Sequence, residues 1–148
     1  MEPSRQHHDA LMIAGHTVRT TNREEVDPAT ARIGALWGRF FADPKLQELP
    51  QRIDLAHNYG VYSHYESGAL GAFDVTAGVA VAKGGTVQVE AGDYLVWTST
   101  GAMPQAVLDA WQRVWDYFDA HPETIRRYVS DFEAYTSPTD VKIWVGIE

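Results

Sequence analysis

One order of elements occurs twice along the chain, and that recurrence restricts the fold more than any single motif. The segment "LMIAGHTVRT" (11–20) reads as a strand, and the polar loop "TNREEVD" leads to a helix with Asp27 as N-cap and Pro28 at its first position. Ile33, Leu36, Trp37, Phe40 and Phe41 recur at i, i+3, i+4, i+7 and i+8, the apolar stripe of an amphipathic helix, which "ADP" stops at Pro44. "YGVYSHYE" (59–66) and "FDVTAGVAVA" (73–82) read as strands joined by the turn "SGALG". The series then starts again. "GDYLVWTS" (92–99) is a strand, and Pro104 opens a helix with the stripe Val107, Trp111, Val114, Trp115 and Phe118 that ends at His121-Pro122. "SDFEAYTS", the turn "SPTD" and "VKIWVGI" (141–147) complete a second strand–helix–strand–strand unit. Landmarks of the two units are unevenly offset, 76 residues from Pro28 to Pro104 but 67 from Glu66 to Glu133, so this is a duplicated architecture rather than a tandem repeat. The pattern predicts an α+β fold: two such units about a pseudo-twofold axis, an antiparallel sheet with two main helices, and a central cleft where equivalent positions meet. Residues 1–10 are expected to form a flexible arm and 11–148 one domain, a size that buries a core without staples.

Composition narrows the chemistry. Without cysteine the chain has no disulfide, thiolate zinc site or cysteine nucleophile, which suits a reducing cytoplasm. Twelve Lys and Arg against twenty Asp and Glu give a net charge of −8, which argues against direct nucleic-acid binding. No apolar run approaches the roughly 20 residues of a membrane span, and "MEPSRQHHD" is not a signal peptide. There is no G-x-S-x-G elbow, H-E-x-x-H or phosphate-cradling glycine loop, and "KGG" (83–85) reads as a hairpin turn. The outlier is aromatic content, with five Trp, seven Tyr and five Phe.

Within "RRYVSDFEAYTS" (126–137), Glu133 lies between Phe132 and Ala134 and two residues from Tyr135. Strand alternation puts Glu133 and Tyr135 on one face and Phe132 and Ala134 on the other. Glu133 is therefore either a solvated residue or salt-bridge partner of Arg126 or Arg127, or a carboxylate at the base of an aromatic pocket that selects cations. The first unit carries Tyr65-Glu66-Ser67 where the second carries Phe132-Glu133-Ala134, so Glu66 is the expected counterpart across the cleft. Tyr62, His64 and Glu66 fall at i, i+2, i+4, a spacing open to an acid–base relay or an ordinary solvated face. His7-His8 is a weak ligand pair, His16 and His57 have no obvious partners, and neither metal nor cofactor is expected. Trp37, Trp111 and Trp115 lie on helix stripes, Trp97 faces away from Tyr94 and Val96, and Trp144 faces away from Val141, Ile143, Val145 and Ile147. Each tryptophan fits either the core or a binding surface.

Taken in order, "GHTVRTTN", "IGALWGRF", "YGVYSHYES", "GDYLVWTSTG", "AWQRVWDYF" and "DFEAYTSPTDVKIWVGI" resemble the GyrI-like, AraC-type effector-binding domains, and among them the stand-alone members that include integron-cassette effector-binding proteins. The resemblance covers residues 11–148. It implies the same pseudo-symmetric fold, and a ligand cleft lined with aromatics that holds an acidic residue on the strand matching Phe132–Tyr135. Glu133 is then the principal ligand carboxylate, with Tyr135 beside it and Glu66 opposite, while Trp37, Tyr62, Trp97 and Trp111 supply apolar surface. Ligands of this family are bulky lipophilic molecules, typically organic cations. The stretch before residue 11 is too short for a helix-turn-helix, so a sensor, sequestering or regulatory module is expected rather than a complete transcription factor. Two alternatives remain open from the sequence: a hydrolase detoxifying reactive antibiotics, with Tyr62, Glu66 and Glu133 as candidates, and an interaction module restraining a partner enzyme such as a gyrase.

Overall fold

A computed structural model describes residues 3–148. Its strands are β1 (Ser4–His8), β2 (Leu11–Thr20), β3 (Asn58–Ser63), β4 (Phe73–Val81), β5 (Val87–Val89), β6 (Gly92–Thr100), β7 (Arg126–Ser137) and β8 (Asp140–Ile147). Its helices are α1 (Asn22–Glu25), α2 (Ile33–Phe41), α3 (Pro44–Gln47) and α4 (Gln105–Ala120). All eight strands join one antiparallel sheet in the order β1-β6-β8-β7-β3-β4-β2-β5. Read outward from its centre, that order is the duplicated architecture: β3, β4 and β2 of the first unit mirror β7, β8 and β6 of the second. The two units meet at the β3–β7 ladder, where Gly60 pairs with Glu133 and Asn58 with Tyr135.

The helices divide one face of the sheet between them. Leu36 and Phe40 of α2 pack with Phe73, Val75, Ala77 and Val79 of β4. Val107, Ala110, Trp111 and Val114 of α4 pack with Leu95 and Trp97 of β6 and with Val141, Ile143 and Val145 of β8. The opposite face has its own core of Ile13, Tyr59, Val61, Tyr94, Val96, Phe132 and Ala134. Trp144 is committed to that face, stacked on Phe132 with ring centroids 5.4 Å apart and planes 8° apart. Because α2 and α4 cover different halves, the β3–β7 junction between them stays open on the helical side.

Four local features differ from expectation. Residues 4–8 are an edge strand rather than part of a flexible arm, with Ser4 paired to Val96 and His8 to Gly92; Met1 and Glu2 lie outside the described residues. Backbone pairing to β6 forms β1, and His8 anchors it edge-on against Phe132 and Trp144, so its polar letters conceal it. Helix α2 starts at Ile33, not at Pro28. Asp27 instead closes a turn by accepting from the Ala29 amide, and the Glu25 carboxylate accepts from the amides of Arg32 and Ile33 at the start of α2. Pro44 does stop α2, but it also begins the single turn of α3, with Asp43 as N-cap. "KGG" is no hairpin turn: β4 and β5 lie on opposite sides of β2, and the connection crosses over Met12, whose sulfur accepts from the Gly85 amide.

Candidate functional site

Between α2 and α4, above the β3–β7 ladder, lies a cavity of about 950 Å³, within the range of drug-sized ligand sites. Trp37, Ile33 and Phe41 of α2 form one wall and Val107, Leu108 and Trp111 of α4 the other; Tyr62, Glu133 and Tyr135 form the floor. Arg52, Leu55, Ala56 and His57 of the loop before β3, with Met103 and Pro104 at the start of α4, border the rim.

Glu133 is 3% exposed and accepts three hydrogen bonds. Tyr62 Oη donates to Oε2 at 2.8 Å, Trp111 Nε1 to Oε2 at 2.7 Å, and Tyr135 Oη to Oε1 at 2.7 Å. Each donor comes from a different element: β3, α4 and β7. All three are neutral, and among the described residues no Lys, Arg or His pairs with Glu133. Arg126 is engaged with Asp131 instead, and Arg127 lies over the Tyr94 ring. Burial raises the Glu133 carboxyl above its ordinary value, and the bonds from Trp111, Tyr135 and Tyr62 offset only part of that. Burial and the adjacent carboxylate push the Tyr62 and Tyr135 hydroxyls up in turn, so both remain donors.

Aromatic contacts fix these donors in place. Trp37 meets Tyr135 edge-on at 5.2 Å and Phe41 at 5.9 Å, and Tyr62 meets Trp111 edge-on at 5.2 Å. The cross-strand partner of Glu133 is a glycine, and this matters. A Cβ on Gly60 would stand 3.0 Å from both Glu133 Oε1 and Trp37 Cζ2, so Gly60 leaves room for the carboxylate and the indole together.

Five of the seven residues expected from the sequence, Glu133, Tyr135, Tyr62, Trp111 and Trp37, converge on this cavity. Glu66 and Trp97 do not line it. Strand β3 ends at Ser63, and His64 takes a left-handed conformation (φ 52°), so the alternation assumed through residue 66 breaks there. Glu66 emerges exposed in the following turn, and His64 is drawn to Asp74, with Nδ1 3.1 Å from Oδ2; the Tyr62–His64–Glu66 relay is not assembled. Trp97 is 2% exposed beneath α4, packed on Tyr117 and Phe118, and belongs to the core.

Sequence reasoning missed the rim. His57 lines the cavity and has a partner after all: its Nδ1 lies 2.8 Å from Asp54 Oδ2. That carboxylate also accepts from Tyr59 Oη and the Ala56 amide. Burial opposes ionisation of Asp54, but the bonds from Tyr59, Ala56 and His57 outweigh it and hold the carboxyl below its ordinary value. The signal was "DLAH", an aspartate three residues before a histidine. Phe41 and Leu55 also border the opening, 67% and 80% exposed. Among the described residues no group of three His, Asp or Glu side chains gathers that could hold a metal ion, and no helix is long and apolar enough to cross a membrane.

A pseudo-symmetric antiparallel sheet carrying two helices over a central cavity is the architecture that the resemblance to effector-binding domains implies. The family model described as Cass2, integron-associated effector binding protein, matches residues 6–147, and the chain belongs to that family. Among solved structures it is similar to the integron cassette protein VCH_CASS2 from the mobile metagenome of Vibrio cholerae, with a TM-score of 0.83 and 35% identity over 99% of this chain and 96% of that one. It shares its fold with SAV2435, solved bound to tetraphenylphosphonium, at a TM-score of 0.79 and 20% identity over 100% of this chain and 94% of that one. A search of curated proteins found no match.

Proposed function

We propose that this protein binds bulky lipophilic organic cations in the cavity between α2 and α4, with Glu133 as counter-ion. One observation carries the reading: a carboxylate 3% exposed on an aromatic floor has three neutral donors and no paired cation among the described residues. An uncompensated buried charge costs several kcal/mol, and a ligand cation removes that cost on entry. Trp37, Tyr62, Trp111 and Tyr135 contribute flat apolar surface and cation–π attraction of roughly 0.5–2 kcal/mol each. Stacking plus one charge constrains ligand shape little, so specificity is broad. The family assignment and the phosphonium bound to SAV2435 support the same reading. The protein then acts in the cytoplasm as a sensor, a sequestering protein or a regulatory module for such compounds.

Calorimetric titration of tetraphenylphosphonium into wild type and Glu133→Gln tests the proposal. Saturable binding in wild type, weakened at least tenfold in the variant, supports it. Equal affinity in both proteins overturns the role of Glu133.

A further inference from the structure

Three apolar side chains at the opening of the cavity stand in solvent. Leu55, Phe41 and Leu108 all line the cavity, yet they are 80%, 67% and 56% exposed. They come from three separate elements: the loop before β3, the end of α2 and the first turn of α4. Two of them lie about one helical turn from residues that reach the floor. Phe41 follows Trp37 by four residues, roughly 6 Å along the helix axis, and Leu108 precedes Trp111 by three, roughly 4.5 Å. Trp37 meets Tyr135 edge-on, and Trp111 donates to Glu133. Polar side chains that share the lining are engaged within the protein. Glu25 accepts from the Arg32 and Ile33 amides, Arg52 donates to the main-chain oxygens of Gln47 and Asp54, and Ser137 donates to Asp140.

A cation seated on Glu133 directs the substituents it carries toward the opening between α2 and α4, and so along these side chains. We propose that Leu55, Phe41 and Leu108 form a subsite for an alkyl tail, so that the preferred ligands are amphiphiles with a cationic head on Glu133 and an aliphatic chain running out over the rim. Size favours a ligand chain over a protein partner. Three side chains offer on the order of a few hundred Å² of apolar surface, short of the roughly 1,000 Å² that a specific protein interface needs. The cavity volume of about 950 Å³ stands near the upper end of drug-sized sites, which fits an occupant reaching from floor to opening. Methylenes gain by leaving water in proportion to the area they bury, whatever their direction, so this subsite reads chain length rather than shape. The inference rests on the cation-binding reading of Glu133, because that anchor points the tail outward.

The test uses a series of alkyltriphenylphosphonium cations of increasing chain length, kept below the concentrations at which they form micelles. They are titrated into wild type, the double variant Leu55→Ser/Leu108→Ser, Leu70→Ser and Glu133→Gln. Leu70 is 94% exposed and does not line the cavity, so its substitution controls for the loss of a surface leucine. In wild type, affinity should rise roughly 2- to 4-fold per methylene once the chain reaches the rim. The double variant should lose most of that gain, measured against its own affinity for the methyl homologue, and Leu70→Ser should keep it. No gain with chain length in wild type, an equal gain in the double variant, or an equal loss in Leu70→Ser overturns the subsite. So does a wild type that sediments as a dimer with a double variant that sediments as a monomer, since the rim is then an interface between copies. The two readings fail separately. If the methyl homologue binds in a Glu133-dependent way and longer chains gain nothing, only the tail subsite falls. If that homologue binds equally to Glu133→Gln, the anchor falls, and this inference with it.

Discussion

Asp131 and Glu133 are buried carboxylates two residues apart on one face of β7, and of the two only Asp131 has a cation. Arg126 Nη2 lies 2.8 Å from Asp131 Oδ2, with further donation from Tyr65 Oη and the Gly146 amide. Glu133, on the same strand face, receives neutral donors alone. The fold thus satisfies one buried charge internally and leaves the neighbouring one facing the cavity. That contrast separates a structural carboxylate from a candidate ligand carboxylate.

The two should respond oppositely to neutralisation. Asp131→Asn leaves the Arg126 guanidinium, itself only 10% exposed, without its counter-ion, and should destabilise the fold by about 3–5 kcal/mol. Chemical denaturation should show a large drop in midpoint, while any folded fraction still binds cations. Glu133→Gln should reverse the pattern, with a small change in midpoint and a loss of about 2–5 kcal/mol in cation affinity.

The raised Glu133 carboxyl gives binding a pH dependence of definite sign. Below its raised value the group is protonated and neutral, so affinity for a phosphonium should fall as pH falls through that value and recover above it. Without ligand, the folded state holds this proton more tightly than the unfolded chain. Glu133's contribution to stability should therefore be lost as pH rises from the ordinary carboxylate value to the raised one. Glu133→Gln should flatten the affinity profile and remove this contribution from the stability profile, as affinity and the difference in denaturation midpoint from wild type, measured across acidic to neutral pH, would show.

Gly60→Ala probes the room that the glycine leaves. The added methyl would crowd Glu133 Oε1 and Trp37 Cζ2, each 3.0 Å away, so one of them must shift. Overpacking of this kind costs about 1–3 kcal/mol of stability. Cation affinity should fall at least tenfold although the substitution adds no charge and removes no donor, and unchanged affinity in a folded variant would exclude the crowding.

Two tryptophans should divide stability from binding. Trp97→Ala empties a core site beneath α4 and should cost about 3–5 kcal/mol of folding stability, with cation affinity of the folded protein retained. Trp37, half-buried on the cavity wall, should behave conversely. Trp37→Ala should weaken cation binding by the roughly 0.5–2 kcal/mol of one cation–π contact with a smaller effect on unfolding. Paired denaturation and titration curves measure both.

The architecture was legible because hydrophobic periodicity dominates its longer elements. Strands β2, β4, β6 and β8 fall within a residue of their sequence bounds, and the repeated order foretold the mirrored sheet. What stayed hidden depends on backbone or distant partners: β1 is polar and held by pairing to β6, β5 is three residues long, and α2 takes its first contacts from Glu25 rather than from the turn residue Asp27. Strand parity put Glu133 and Tyr135 on one face, and the family resemblance, not parity, pointed that face at a ligand cleft. Glu66 does not join it, because matching Tyr65-Glu66-Ser67 to Phe132-Glu133-Ala134 took the strand through residue 66, whereas β3 ends at Ser63 and His64 is left-handed. Trp97 shows the limit of the same argument, since parity put it on the face opposite Tyr94 and Val96 but could not say that α4 covers that face there.

The central claim is that Glu133 makes the cavity select positive charge. Tetraphenylphosphonium and tetraphenylborate have nearly the same shape and opposite charge, so titrating both into wild type and Glu133→Gln, at a salt concentration that screens the surface charge of the chain, isolates that one carboxylate. The account predicts strong preference for the phosphonium in wild type and collapse of most of that preference in the variant. Equal affinities in wild type, or a preference that Glu133→Gln leaves intact, would contradict it.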